Sequence, residues 1–241
     1  MPVLLHIETT TRVCSVGLSK AGQLIALREH HSKEYSHSSL LTVFIEEVMA
    51  ETGLKPVDIS AVAVSRGPGS YTGLRIGVSA AKGFCFARDI PLIAVDTMRA
   101  LTRTALLRMN DLNGMIPPAA IETLFCPMID ARRMEVYYAL LAYDLSVVHD
   151  TRAQVVDGHT FAGLLENKKI IFFGDGADKC RQVIRGCNAL FVEGILPSAR
   201  GMVQEATEKF GRKEFADVAY FEPFYLKDFV AGKPKVKGLS S

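Results

Sequence analysis

Hydrophobic residues fall at two different periods along this chain, and the switches between them predict its elements. Residues 3–7 are an apolar run ending at Glu8-Thr9-Thr10-Thr11. Residues 13–19 follow, with Val13, Ser15 and Gly17 on one face and Cys14, Val16 and Leu18 on the other, as a strand requires. Lys20-Ala21-Gly22 makes a turn and 23–30 read as a third strand, so the chain opens with an antiparallel meander. The period then lengthens: Leu40, Leu41, Phe44, Ile45, Val48 and Met49 recur at helical spacing, with Glu46, Glu47 and Glu51 outward and Gly53 as a stop. A strand over 59–65, a glycine-rich loop, a helix over 71–87, a buried strand over 92–95 and a helix over 97–108 complete the first block.

Residues 110–118, with Asn113-Gly114 and Pro117-Pro118, read as a loop and mark the expected domain boundary. The second block repeats the first in outline. Strands over 123–129, 135–143 and 147–155 precede a short helix at 161–166 and a strand at 169–173. Gly174-Asp175-Gly176 is a turn, followed by a helix over 177–185, a strand over 189–192 and a helix over 198–210 with Ser198 as its N-cap. Two meander-then-alternation blocks predict an α/β protein of two related subdomains, each a mixed sheet flanked by helices. Their expected limits are 1–109 and 110–230. The stretch 231–241, carrying Lys233, Lys235 and Lys237, is expected to be a solvated, flexible basic tail.

Composition narrows the function classes. Nearly half of the 241 residues are hydrophobic, which builds a core and excludes a disordered chain. A formal net charge of +2 creates no whole-molecule field able to grip nucleic acid, so an RNA-related role calls for a partner or a local patch. The five cysteines are odd in number and lack a CxxC pair, as expected for reduced thiols inside a cell. No apolar stretch reaches the roughly 18–20 residues that span a bilayer, and the N-terminus lacks the marks of a signal peptide. The expectation is a cytoplasmic protein with no membrane contact.

Three stretches carry candidate chemistry. Glu8, Thr9 and Thr10 close the first strand, where an acid and hydroxyls can face a nucleotide's phosphates and a hydrated Mg²⁺; the alternative is a hairpin turn whose threonines satisfy local backbone. Gly67, Gly69 and Ser70 lie between a strand and a helix N-terminus, a setting that favours an anion, although no Gly-Lys-Ser/Thr closes a Walker A loop. Gly174 and Gly176 are the third candidate. In the helix over 71–87, Gly73, Gly77 and Ala81 form one row at a spacing of four, and Ser79, Gly83 and Ala87 form another. Small residues in rows let a neighbour approach closely, either the chain's own sheet or another subunit. Asp130, Arg132, Arg133 and Glu135 form a charged hairpin cluster. The six histidines show neither HxxxH nor HExxH spacing, and there is no GxSxG, so no catalytic or metal-ligating residue is assigned.

Several segments together resemble the TsaB (YeaZ) family. They are Ile7-Glu8-Thr9-Thr10 with Cys14-Ser15-Val16-Gly17-Leu18, the run from Ser65 through Gly67-Pro68-Gly69-Ser70-Tyr71-Thr72-Gly73 to Gly77, the run Ile129 to Tyr137, and Glu222-Pro223-Phe224-Tyr225-Leu226. The resemblance covers nearly the whole chain and is most specific between Gly67 and Gly77. It implies an actin-like ATPase (ASKHA, ribonuclease H-like) fold. It also implies a non-catalytic subunit that dimerises with the catalytic TsaD and works with TsaE. Their complex transfers a threonylcarbamoyl group to N6 of adenosine 37 in tRNAs reading codons that begin with A.

The same resemblance implies a subunit interface on the two long helices, at Leu41, Phe44, Ile45, Val48, Gly73, Arg75, Gly77 and Ala81. It implies homodimers when the chain is alone, and tRNA contact only through the complex. Where TsaD carries its HxxxH metal pair, this chain has Thr97 and Leu101, neither of which replaces an imidazole and both of which argue against a metalloprotease activity. Two positions depart from the family text: Glu8 stands where aspartate is usual, and Met134 where glycine is frequent. The alternative reading is an ATP-binding phosphotransferase of the sugar-kinase superfamily, holding weak ATP or ADP with Mg²⁺ through Glu8 and the Gly174–Gly176 turn.

Overall fold

A computed structural model of the protein describes residues 1–31, 37–111 and 122–227. Positions 112–118 of the expected boundary loop, and the basic tail, lie outside the described residues.

Among the described residues, ten strands form two five-stranded sheets of the same design. In the first, β1 (Val3–Glu8), β2 (Val13–Lys20) and β3 (Gln23–His31) are the expected antiparallel meander. β4 (Ala61–Ser65) and β5 (Leu92–Val95) extend it in parallel, in the order β3-β2-β1-β4-β5. In the second, β6 (Thr123–Asp130), β7 (Glu135–Leu141) and β8 (Val147–Val155) are antiparallel, and β9 (Lys169–Phe173) and β10 (Ala189–Val192) are parallel, in the order β10-β9-β6-β7-β8. Each sheet places its first strand in the centre, two antiparallel strands on one side and two parallel strands on the other. This is the ribonuclease H-like order found twice, as the resemblance implied.

The helices stack these sheets into layers. α1 (His37–Thr52) and α2 (Tyr71–Arg88) cover the outer face of the first sheet, packing Phe44, Val48, Val78 and Ala81 on Leu5, Ile7 and Val64. α3 (Thr97–Asp111) leaves the first sheet and packs on the second, where Met98, Leu101 and Ala105 meet Phe125, Ala139 and Phe173. α6 (Ala199–Arg212) does the reverse. It follows the second sheet in the chain, yet buries Ala199, Met202 and Ala206 against Leu4, Ala63 and Ile93 of the first. Among the described residues, the helices on the outer face of the second sheet are the short α4 (Ala162–Leu165) and α5 (Ala177–Cys180).

Local chemistry explains these elements. β1 is buried along its whole length because helices cover both faces of its sheet, so it reads as an apolar run rather than an alternation. His6, inside that run, shares a hydrogen bond of 2.7 Å with the Ser19 hydroxyl, and burial pushes its pKa down to about 3, so the imidazole is neutral. The Ser70 hydroxyl caps α2 by accepting the Gly73 N–H, and Asp89 ends that helix in the left-handed conformation. The helix expected over 177–185 stops at Cys180. There the Val183 and Ile184 N–H groups both turn to the Cys180 carbonyl, a tightened turn that does not propagate.

Candidate functional site

The turn after β1 and the glycine-rich loop after β4 meet and pack directly on each other. Glu8 is fully buried. Its carboxylate accepts hydrogen bonds from the Thr10 N–H at 2.6 Å, the Thr10 hydroxyl and the Ser65 hydroxyl. Burial raises its pKa, against the lowering effect of those donors. Thr9 and Thr10 are buried too; the Thr9 hydroxyl donates to the Gly73 carbonyl at 2.7 Å. The Ser70 N–H donates to the Thr10 carbonyl at 2.6 Å, so an amide at the start of α2 is already engaged. The structure brings Glu8, Thr9, Thr10, Gly69 and Ser70 together, and it does so as an intrachain seam in which Glu8 has no face for a hydrated cation.

The glycines make that seam close. Gly67 sits at φ +111°, a conformation open to glycine, and a Cβ there would lie 2.6 Å from the Phe224 carbonyl oxygen. A Cβ at Gly69 would lie 2.6 Å from the Thr10 Cβ. Further along α2, a Cβ at Gly73 would press on the Thr9 carbonyl and one at Gly77 on the Thr9 hydroxyl, both well inside van der Waals contact.

Of the eight interface residues implied by the resemblance, six therefore face inward. Leu41, Phe44, Val48, Gly73, Gly77 and Ala81 are buried within the chain, Ile45 is half-buried and Arg75 is exposed. Arg75 lies over the Tyr71 ring and donates to its hydroxyl at 2.6 Å. The outward face of α2 belongs to the second small-residue row. Ser79, Gly83 and Ala87 are exposed, a Cβ at Gly83 would meet nothing within 4 Å, and Phe86 is 85% exposed beside them. On α1, Val43 is an exposed large hydrophobic residue.

The turn between β9 and α5 differs. Gly174, at φ +101°, and Gly176 pack on the backbone of Met128 and Ile129, and between them Asp175 accepts the Asp130 N–H at 3.1 Å. Burial raises the Asp175 carboxyl to about pKa 6. Asp130 pairs with Lys179, which also donates to the Glu135 carbonyl at 2.6 Å, and Glu135 pairs with Lys227. Thr97 and Leu101 are interior: the Thr97 hydroxyl accepts the Gly67 N–H at 3.0 Å, and Leu101 packs on the second sheet. Among the described residues, no three or more His, Cys, Asp or Glu side chains converge as a metal would require.

Pattern reading missed the segment after α6. The Ala216 N–H donates to the Leu92 carbonyl, Lys82 donates to the carbonyls of Ala219 and Phe221, and the Phe224 N–H donates to the Arg66 carbonyl at 2.7 Å. Tyr225 sets its ring 5.1 Å from that of Tyr71. The segment straps α2 to the glycine-rich loop without regular structure, so no period announces it. Its one signal was the aromatic run Phe221 to Tyr225.

Comparisons with known proteins converge on one family. The family described as "TsaD: tRNA N6-adenosine threonylcarbamoyltransferase" matches residues 30–232. The chain is similar to the tRNA threonylcarbamoyladenosine biosynthesis protein TsaB of Escherichia coli K12, 28% identical over 95% of this chain and 96% of that one. It is 34% identical to a tRNA N6-adenosine threonylcarbamoyltransferase of Streptococcus sanguinis, over 50% of this chain and 33% of that one. Its fold is that of YeaZ from Pseudomonas aeruginosa, with a TM-score of 0.75 and 23% identity over 94% of this chain and 100% of that one.

Proposed function

Since the chain belongs to the family of tRNA N6-adenosine threonylcarbamoyltransferases, in its TsaB (YeaZ) branch, we propose that it serves threonylcarbamoyladenosine biosynthesis by docking a TsaD-type catalytic subunit. The docking surface in this reading is the outer face of the α1–α2 layer. The row Ser79, Gly83 and Ala87 lets a partner helix approach the α2 backbone, and Phe86 and Val43 supply apolar anchors. The observation that carries the reading is the likeness to TsaB over nearly the full length of both chains. It is supported by the inward row of α2, whose closeness to Thr9 holds that helix rigidly in place. In the same reading a TsaE-type ATPase joins the pair, the chain self-associates through the same face when alone, tRNA is met only by the assembled complex, and the setting is cytoplasmic.

The sealed Glu8 gives the phosphotransferase alternative no support. The test is a reconstituted tRNA modification assay with TsaD and TsaE homologues, run with and without this chain. Threonylcarbamoyladenosine is expected only when the chain is present; equal product in its absence would overturn the proposal.

A further inference from the structure

At the C-terminal ends of the parallel strands β4 and β5, the start of α3, α6 and the β7–β8 hairpin enclose a cavity of about 240 Å³. A crevice at strand ends is where open α/β sheets take ligands. This one is smaller than the roughly 300–1,000 Å³ of larger ligand sites, a size suited to a small molecule.

Its walls carry balanced charge with distinct gaps. Arg66 is already paired with Asp96 at 3.1 Å, and Asp96 also caps α3 through the Met98 and Arg99 N–H groups. Lys209 is paired with Glu205 Oε1 at 3.0 Å and donates to the Ala94 carbonyl. The other carboxylate oxygen, Glu205 Oε2, has no hydrogen-bond partner among the described residues, although Glu205 is only 4% exposed. A buried carboxylate oxygen left unpaired costs on the order of 1–3 kcal/mol or more, a cost that a donor on a bound ligand would recover. Two further lining groups, the Arg99 guanidinium and the Asp150 carboxylate, engage no partner among the described residues. An apolar wall is formed by Met98 and Leu141.

We propose that this cavity binds a small zwitterion, an L-α-amino acid with an aliphatic side chain. Its ammonium group donates to Glu205 Oε2, with Asp150 adding charge. Its carboxylate pairs with Arg99, whose fork matches two oxygens. Its side chain lies on Met98 and Leu141. A simple anion leaves Glu205 unsatisfied, a simple amine leaves Arg99 unsatisfied, and among the described residues no three acids converge as a metal would require.

The proposal is independent of partner docking, and its test uses the full chain alone. The proteinogenic L-α-amino acids are titrated at millimolar concentration, read by amide chemical shifts and by calorimetry. An aliphatic amino acid is expected to bind, shifting the resonances of Arg99 and Thr151. Its deaminated acid and its methyl ester should bind at least about tenfold more weakly, the loss of one charged hydrogen bond. E205Q and R99Q, each checked for an unchanged fold by its spectrum, should weaken the amino acid by a similar factor; D150N covers the case in which E205Q does not fold. No binding by any amino acid overturns the proposal. So does affinity that survives both E205Q and R99Q, and so does equal affinity for the deaminated acid, which marks an anion site.

Discussion

The two rows of small residues on α2 look alike in the sequence and do opposite work. Gly73, Gly77 and Ala81 point inward, where the first turn of the chain presses on them: any Cβ at Gly73 or Gly77 would strike Thr9. Ser79, Gly83 and Ala87 point outward, and a Cβ at Gly83 would meet nothing within 4 Å. Glycine inside a helix costs up to about 1 kcal/mol against alanine. On the inner face the close seam with Thr9 offsets that cost. On the outer face no described residue packs against Gly83 to offset it, and a docked partner is the offset proposed here. Spacing reveals that a surface is smooth; what lies against it is settled by tertiary structure.

This contrast sets the expected order of effects. The largest belongs to the inner row. G77L drives a side chain into Thr9 and Ile7 and should cost at least about 3 kcal/mol, seen as a large fall in melting temperature. Partner binding should then fail because the monomer is unfolded, not because an interface residue is lost. The clash can be located. G77A meets the Thr9 hydroxyl, so T9A should rescue it, with a coupling of about 0.5–3 kcal/mol in a double-mutant cycle. G73A meets the Thr9 carbonyl, and T9A should leave it unrescued.

Acid comes next, and it too acts from within. His6 lies on β1, the strand that leads into Thr9, and its folded pKa of about 3 is below the ordinary 6.5. Unfolding therefore takes up a proton as pH falls. The contribution of neutral His6 is fully present above pH 6.5 and is lost as pH drops toward 3, at up to about 1.4 kcal/mol per pH unit. Glu8, with its raised pKa, titrates in the opposite sense, so the comparison of wild type with H6Q isolates His6. H6Q should flatten the stability profile below pH 6.5, as followed by urea denaturation. A smaller effect is expected at the strap. K82M loses two hydrogen bonds to the Ala219 and Phe221 carbonyls and should cost about 1 kcal/mol, with faster amide exchange at Phe224 as the local sign.

Sequence pattern sufficed wherever a feature is local. The meander of 3–30, the helical period from Leu40 to Met49 and the N-cap at Ser198 all read directly, because strand and helix periods are written within a few residues. What seals Glu8 did not read, since its partner Ser65 lies 57 residues away and Met202, against the same hydroxyl, lies 137 beyond Ser65. The exchange of α3 and α6 between the sheets was hidden for a related reason: an apolar stripe shows that a helix is covered, and both sheets offer an apolar face. The outer row of α2 was visible as a row, but which of the two rows faced outward depended on Thr9.

The measurement that bears most directly on this account is the affinity of a TsaD-type subunit for G83L, taken beside its melting temperature. G83L should fold as well as the wild type, with a stability change within about 1 kcal/mol in its favour, and should bind the partner at least about tenfold more weakly. A folded G83L that binds with unchanged affinity would contradict the assignment of the outer face of α2 as the docking surface.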